Sequence, residues 1–148
     1  MFRSKNPFIF NHKRSNGGKR EDLGGLYVRS TWEANWARYL NWLKSLGEIQ
    51  DWVYEPDVFE FPVKRGSKFY TPDFKIINKD GSIEYHEIKG YLDQPGATKL
   101  KRMRIYYPQV KLILIDKPAY YATAKKIAAM IPNWETMPKD AAEMKKVR

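Results

Sequence analysis

FYTPDFKIINKDGSIEYHEIK, running from Phe69 to Lys89, decides how the rest of the chain is read. Its first part, Phe69 to Ile77, is rich in aromatic and β-branched residues, and Ser82 to Lys89 alternates with the period of two that marks a strand. Between them Asn78-Lys79-Asp80-Gly81 carries hairpin chemistry. A three-residue loop, Lys79 to Gly81 with Gly81 left-handed, pairs Asn78 with Ser82 and sets Asp73 directly opposite Glu87. Opposed residues on one face have Cβ atoms about 4.5 to 5.5 Å apart, close enough for two carboxylates to share one cation. Lys89 falls on the same face as Glu87, and His86 on the other. A slip of one residue would separate the two acids, so the prediction is one of register.

Like charges opposed in a sheet repel unless a cation neutralises them. An oxygen-only pair suits Mg²⁺, with Mn²⁺ as a substitute. Such a metal can polarise a phosphoryl group, lower the pKa of a bound water and stabilise a leaving oxygen. Lys89 would then orient or help activate that water, or neutralise charge in the transition state. The other reading of these residues is an amphipathic hairpin whose Asp, Glu and Lys face solvent, because short charged patterns recur by chance.

Charge bears on that choice. Lys and Arg number 27 against 17 Asp and Glu, a formal net charge of +10. With a pI near 9.7, the surplus favours a polyanionic partner, and an acidic pair inside a basic protein is what metal-dependent cleavage of nucleic acid requires. A membrane is not the expected polyanion, since there is no long apolar run or signal-like start and the mean hydropathy is -0.67. The expected compartment is therefore the cytoplasm, or the host cytoplasm for a viral protein. No cysteine is present, which excludes disulfides and thiolate zinc sites. His12 and His86 are too few for a histidine metal site, and His86 reads as a structural strand residue. Catalysis would have to rest on carboxylates, lysine and metal.

The 148 residues, 43% hydrophobic and 15% aromatic, suit one globular domain. Residues 1–25 form a basic arm without sustained periodicity, residues 26–131 the domain, and residues 132–148 a polar tail expected to be poorly ordered. The arm carries Arg14, Lys19 and Arg20. It reads as a DNA-binding or subunit-exchanged segment, or as a disordered basic tail. Ser30 to Leu46 has the apolar spacing of an amphipathic helix closed by Gly47. Ile49 to Tyr54 and Val58 to Val63 read as strands, followed by the hairpin, a basic helix over 97–107, a strand over 110–115 and a helix over 119–130. The order is α-β-β-β-β-α-β-α, an α/β fold with a mixed sheet of four to five strands. No internal repeat is present.

Helix with Glu, strand with Pro-Asp, strand with Glu-x-Lys: this pattern resembles the PD-(D/E)XK nuclease superfamily. Within it, Tyr70-Thr71-Pro72-Asp73-Phe74, His86-Glu87-Ile88-Lys89-Gly90, Lys99 to Arg104 and Tyr107 to Ile115 resemble bacteriophage endonuclease I type Holliday junction resolvases. The likeness covers roughly residues 28 to 116. It implies a restriction-endonuclease-like core and a Mg²⁺-dependent endonuclease that resolves four-way junctions in branched double-stranded DNA by paired nicks. It further implies that Asp73, Glu87 and the backbone carbonyl of Ile88 ligate the metal, that Lys89 is the catalytic lysine, and that Glu33 completes a two-metal site. A homodimer follows, because two symmetric nicks need two sites. In that family the subunits exchange N-terminal elements, which the arm here does not visibly match.

Several residues carry two readings. Ser30-Thr31-Trp32-Glu33 is also a capping box, so Glu33 is either a metal ligand or a helix cap. Lys99, Lys101, Arg102 and Arg104 either grip phosphates beside the cut or form a solvated face over Leu100, Met103 and Tyr107. Trp32, Trp36 and Trp42 share their helical spacing with other apolar residues and are read as core, while Tyr91 and Arg65 are exposed candidates for substrate contact. In place of a resolvase, a sequence- or end-specific nuclease of the same superfamily, or a DNA-binding protein with a vestigial site, would share these features.

Overall fold

The computed structural model describes residues 16–148. Phe2, Phe8, Phe10, Arg3, Lys5, His12, Lys13 and Arg14 of the expected arm lie outside them. Along the chain run β1 (Gly18–Arg20), a 3-10 turn (Glu21–Leu23), β2 (Leu26–Val28), α1 (Thr31–Ser45), β3 (Ile49–Tyr54), β4 (Phe59–Glu60), β5 (Phe69–Tyr70), β6 (Phe74–Asn78), β7 (Ile83–Ile88), α2 (Gln94–Tyr106), β8 (Leu112–Ile115), α3 (Lys117–Ile127), a second 3-10 turn (Ala128–Met130) and α4 (Pro138–Lys145). The fold is mixed α/β: a four-stranded sheet in the order β3-β6-β7-β8, with two small two-stranded sheets beside it.

The hairpin forms in the expected register. Phe74 pairs with His86, Ile76 with Glu84 and Ile77 with Ile83, and the Asn78 N–H donates to the Ser82 carbonyl at 2.8 Å. Gly81 closes the loop at a φ of +88°, where a Cβ would be strained. One residue beyond the Phe74–His86 pair, Asp73 comes opposite Glu87. β7 and β8 are parallel, and the crossover that a parallel pair requires is α2.

Alternation sorts the two faces. Phe74, Ile76, Ile88 and Ile115 pack with Trp36 and Leu40 of α1 and Tyr120 and Ala124 of α3. His86 lies on this side, accepting from Trp36 Nε1 at 3.0 Å with its Nε2 2.7 Å from Glu84, so the structural reading of His86 holds. Trp36 is core, and Trp32 stacks on Tyr120 with ring centroids 4.1 Å apart. Asp73 and Glu87 face the other way, toward a smaller cluster of Phe61, Tyr70 and Met103.

Four expectations are corrected. The strand expected over Phe69 to Ile77 is broken after Tyr70, because Pro72 has no N–H to give a ladder. β5 instead pairs with β4, all that remains of the strand expected over Val58 to Val63. The arm–domain boundary at 25/26 falls inside the β1–β2 hairpin, which pairs Gly18 with Val28 and Arg20 with Leu26. Nor is the C-terminal tail without structure: α4 has Pro138 in its first turn, and Trp134, Met144 and Val147 pack against the main core. Among the described residues no helix is long and apolar enough to cross a membrane.

Arg38 of α1 ties the 3-10 turn after β1 to the C-terminal segment. Its guanidinium meets Asp22 through Nε at 2.8 Å and Nη2 at 2.9 Å, and Glu135 through Nη1 at 2.8 Å. Glu135 also receives Arg20 Nε at 2.6 Å. With Arg38 buried, its removal leaves Asp22 without its guanidinium partner and takes one donor each from Asn35 and Glu135. Arg38→Ala should cost about 3 kcal/mol and lower the melting temperature by roughly 10 °C; an unchanged thermal melt would show that the two segments dock independently of it.

Candidate functional site

Asp73 precedes β6 and Glu87 lies in β7; they are only 4% and 8% exposed. Each carboxylate accepts a backbone N–H at or next to the other acid. The Ile88 N–H donates to Asp73 Oδ2 at 2.8 Å, and the Asp73 N–H donates to Glu87 Oε1 at 3.3 Å. The Tyr70 hydroxyl donates to that same Oε1 at 2.8 Å. Burial and repulsion from Glu87 and Glu33 push the Asp73 carboxyl up to about 8 against an ordinary 3.8, only partly opposed by the Ile88 N–H and Arg29. Burial likewise raises Glu87, opposed by Tyr70, Lys89 and the Asp73 N–H.

Glu33, 7% exposed, enters from the first turn of α1. Its backbone N–H donates to Ser30 Oγ at 3.1 Å, so the capping geometry is real. The Glu33 carboxylate accepts from the Arg29 N–H at 3.3 Å and the Tyr54 hydroxyl at 2.5 Å, both on Oε1. Glu33 is thus already partnered, and among the described residues no three His, Cys, Asp or Glu side chains gather closely enough to hold a metal. The acids that face each other without a full set of donors are Asp73 and Glu87. Arg29 bridges the two groups of acids, with Nη2 3.5 Å from Asp73 Oδ1 and an ion pair to Glu55.

A cleft of about 500 Å³ holds Glu33, Asp73, Glu87 and Lys89 together, with Lys99 on its α2 wall. Asp93 caps α2, its side chain accepting the Gly96 N–H at 2.8 Å, and this brings the first turn of α2 over the cleft. The remaining basic residues divide. Lys101 and Arg104 are exposed on α2 and Lys19 on β1. Arg102 holds the loop before β5, donating to the Ser67 carbonyl at 2.7 Å. Arg20 is committed to Glu135, a structural part that its place in a basic arm did not suggest. Arg65 is exposed, away from the residues lining the cleft.

Sequence reasoning missed four contributors: Arg29, Tyr54, Glu55 and the hydroxyl of Tyr70. Tyr70 stood inside the quoted Tyr70–Phe74 motif, and its distance from Glu87 is fixed once the register is known. Glu55 adopts a φ of +49° before Pro56, and that adjacent proline was the available sign of an unusual turn. Arg29 and Tyr54 gave none, since their contacts join segments far apart in sequence.

The fold and cleft thus define a mixed α/β domain with two opposed acids, a lysine and a partnered third acid at one end of the central strands of its sheet. The chain belongs to the family described as Protein of unknown function (DUF1064), which matches residues 16–123. That span runs from the β1–β2 hairpin into α3 and includes Glu33, Asp73, Glu87 and Lys89. No curated protein matches the chain.

Titration of the acid pair has a direct consequence. Folded protein keeps a proton on Asp73 that the unfolded chain releases near 3.8, so stability falls as pH rises from about 4 to about 8. Asp73→Asn keeps an oxygen for the Ile88 N–H and removes the charge. In metal-free buffer it should raise the melting temperature at pH 8 by several degrees and change it little at pH 4. An equal effect at both values would show that Asp73 ionises normally.

Proposed function

We propose that the chain is a metal-dependent DNA endonuclease with a restriction-endonuclease-like core, resolving four-way junctions in branched double-stranded DNA. The observation that carries this reading is the opposition of Asp73 and Glu87 across neighbouring strands, with Lys89 in the same cleft. Two opposed carboxylates, both raised by burial and Asp73 further by repulsion from Glu87, fit a hard divalent cation, because ionising both is unfavourable without one. In this reading Asp73, Glu87 and the Ile88 carbonyl hold Mg²⁺, for which Mn²⁺ substitutes. When bound, the ion would supply Lewis acidity and a water of lowered pKa.

The chain's own groups then divide the remaining work. Tyr70 fixes the Glu87 carboxylate by its hydroxyl hydrogen bond, and the Ile88 N–H fixes that of Asp73. Lys89 Nζ donates to the attacking water or a non-bridging phosphate oxygen, orienting one and neutralising the other. Glu33, steadied by Tyr54 at the helix end, is the outer acid of the cleft. Lys99, Lys101 and Arg104 of α2 and Lys19 of β1 take flanking phosphates without reading sequence. Paired incision of a junction requires two such clefts, and so a homodimer.

Cleavage of a four-way junction, a flap, a linear duplex and a single strand, each with Mg²⁺ and with EDTA, tests the reading. The junction should be cut, only with metal, and Asp73→Asn, Glu87→Gln and Lys89→Ala should each slow cutting about a hundredfold or more. Equal cutting of linear duplex would replace the resolvase by a sequence- or end-specific nuclease; no cutting of any substrate would remove the enzyme. Glu33→Ala, which removes the carboxylate and its hydrogen bonds, separates the two parts of that residue. A wild-type melt with cutting lost means catalysis, and a lowered melt with cutting kept means a cap.

A further inference from the structure

Behind the catalytic cleft lies a second cavity, of about 390 Å³, that shares Glu33 and Ile88 with it. Trp32, Tyr91, Tyr121, Lys117 and Lys139 line it. Trp32 and Tyr121 are fixed: Trp32 stacks on Tyr120, and both donate to the buried Asp140, Tyr121 through its hydroxyl at 2.8 Å and Trp32 through Nε1 at 3.4 Å. Tyr91 is the opposite case, an aromatic ring 81% exposed in the turn after β7, two residues past Lys89. Gly90 lies tight against Trp32, where a Cβ would come within 3.1 Å of the indole. Neither Lys117 nor Lys139 forms an ion pair among the described residues, although most acids of the chain have partners.

An exposed ring beside two unpaired ammonium groups matches the chemistry of a nucleotide, one face for a base and two charges for its phosphate. The volume falls within the range of roughly 300 to 1,000 Å³ for ligand sites. Shared walls at Glu33 and Ile88 make the cavity a continuation of the cleft rather than an isolated hollow. We propose that it is a nucleotide subsite, taking an unpaired nucleotide next to the scissile phosphate, with Tyr91 stacking on the base and Lys117 and Lys139 holding the phosphate. This rests on the nuclease reading and deepens it. A base stacked inside a duplex has no face to offer a tyrosine, whereas a branch point or a single strand does, so the subsite would favour branched over linear DNA.

Binding measured by fluorescence anisotropy in EDTA, where no cutting occurs, tests the subsite apart from catalysis. The probes are a labelled thymidine oligonucleotide, a four-way junction and a linear duplex. Tyr91→Ala should weaken oligonucleotide and junction binding about tenfold and linear duplex binding little. Tyr91→Phe should bind like wild type, and the Lys117→Ala/Lys139→Ala double variant should lose affinity and show a shallower salt dependence. Unchanged oligonucleotide and junction binding in Tyr91→Ala and the double variant would overturn the proposal, as would an equal loss in Tyr91→Phe, or a Tyr91→Ala loss just as large on linear duplex. Should wild type cut DNA while these variants bind normally, the subsite fails and the nuclease reading survives. Should wild type bind as described yet never cut, the subsite stands and the catalytic reading fails. A wild type that binds none of the probes overturns both.

Discussion

Two carboxylates held face to face and buried at one end of the central strands β6 and β7 are the constraint on which the cleft depends. Neither Asp73 nor Glu87 can turn away, because each is tied to the backbone beside the other. Their partners, one hydroxyl and two backbone N–H groups, offset part of the repulsion and leave Asp73 protonated over much of the pH range. Arg29 adds a positive charge 3.5 Å from Asp73 Oδ1 and is drawn also to Glu55. Such an arrangement costs stability in the absence of a cation, which is the usual mark of a site shaped by chemistry rather than by folding.

Around that constraint the layers follow. Alternation in β6 and β7 gives one face to the main core under α1 and α3, and gives the acids to the other. The α2 crossover that joins parallel β7 and β8 begins beside Lys89, so the connection demanded by topology also walls the cleft. At the other side the first turn of α1 brings Glu33: the Ser30 hydroxyl accepts the Glu33 N–H at 3.1 Å and donates to Oε2 of its carboxylate at 3.4 Å, while Oε1 accepts from the Tyr54 hydroxyl and the Arg29 N–H. Cap and cleft contacts therefore meet on one side chain.

The parts of this that local chemistry determines were legible in the sequence. Loop length, Gly81 and strict alternation fixed the Asp73–Glu87 register, Ser30 and Gly47 bracketed α1, and β3 was bounded by turn residues on both sides. Contacts between distant segments were not legible. The Arg20–Glu135 and Arg38–Glu135 pairs span 115 and 97 residues, so neither the docking of β1 nor that of the C-terminal segment leaves a periodic trace. The partners of the site acids were hidden for the same reason: Tyr54 reads as an ordinary strand aromatic until α1 is laid against it. Pro72 was visible, yet its effect in splitting one strand into two depended on β4 being available to pair with β5.

The central claim is that Asp73 and Glu87 together hold a divalent cation, and Mn²⁺ binding followed by electron paramagnetic resonance addresses it without any substrate. A saturable site is expected in the wild-type protein, lost in both Asp73→Asn and Glu87→Gln and retained in Lys89→Ala. Absence of a saturable site in the wild type, or its survival in the two acid variants, would contradict the account.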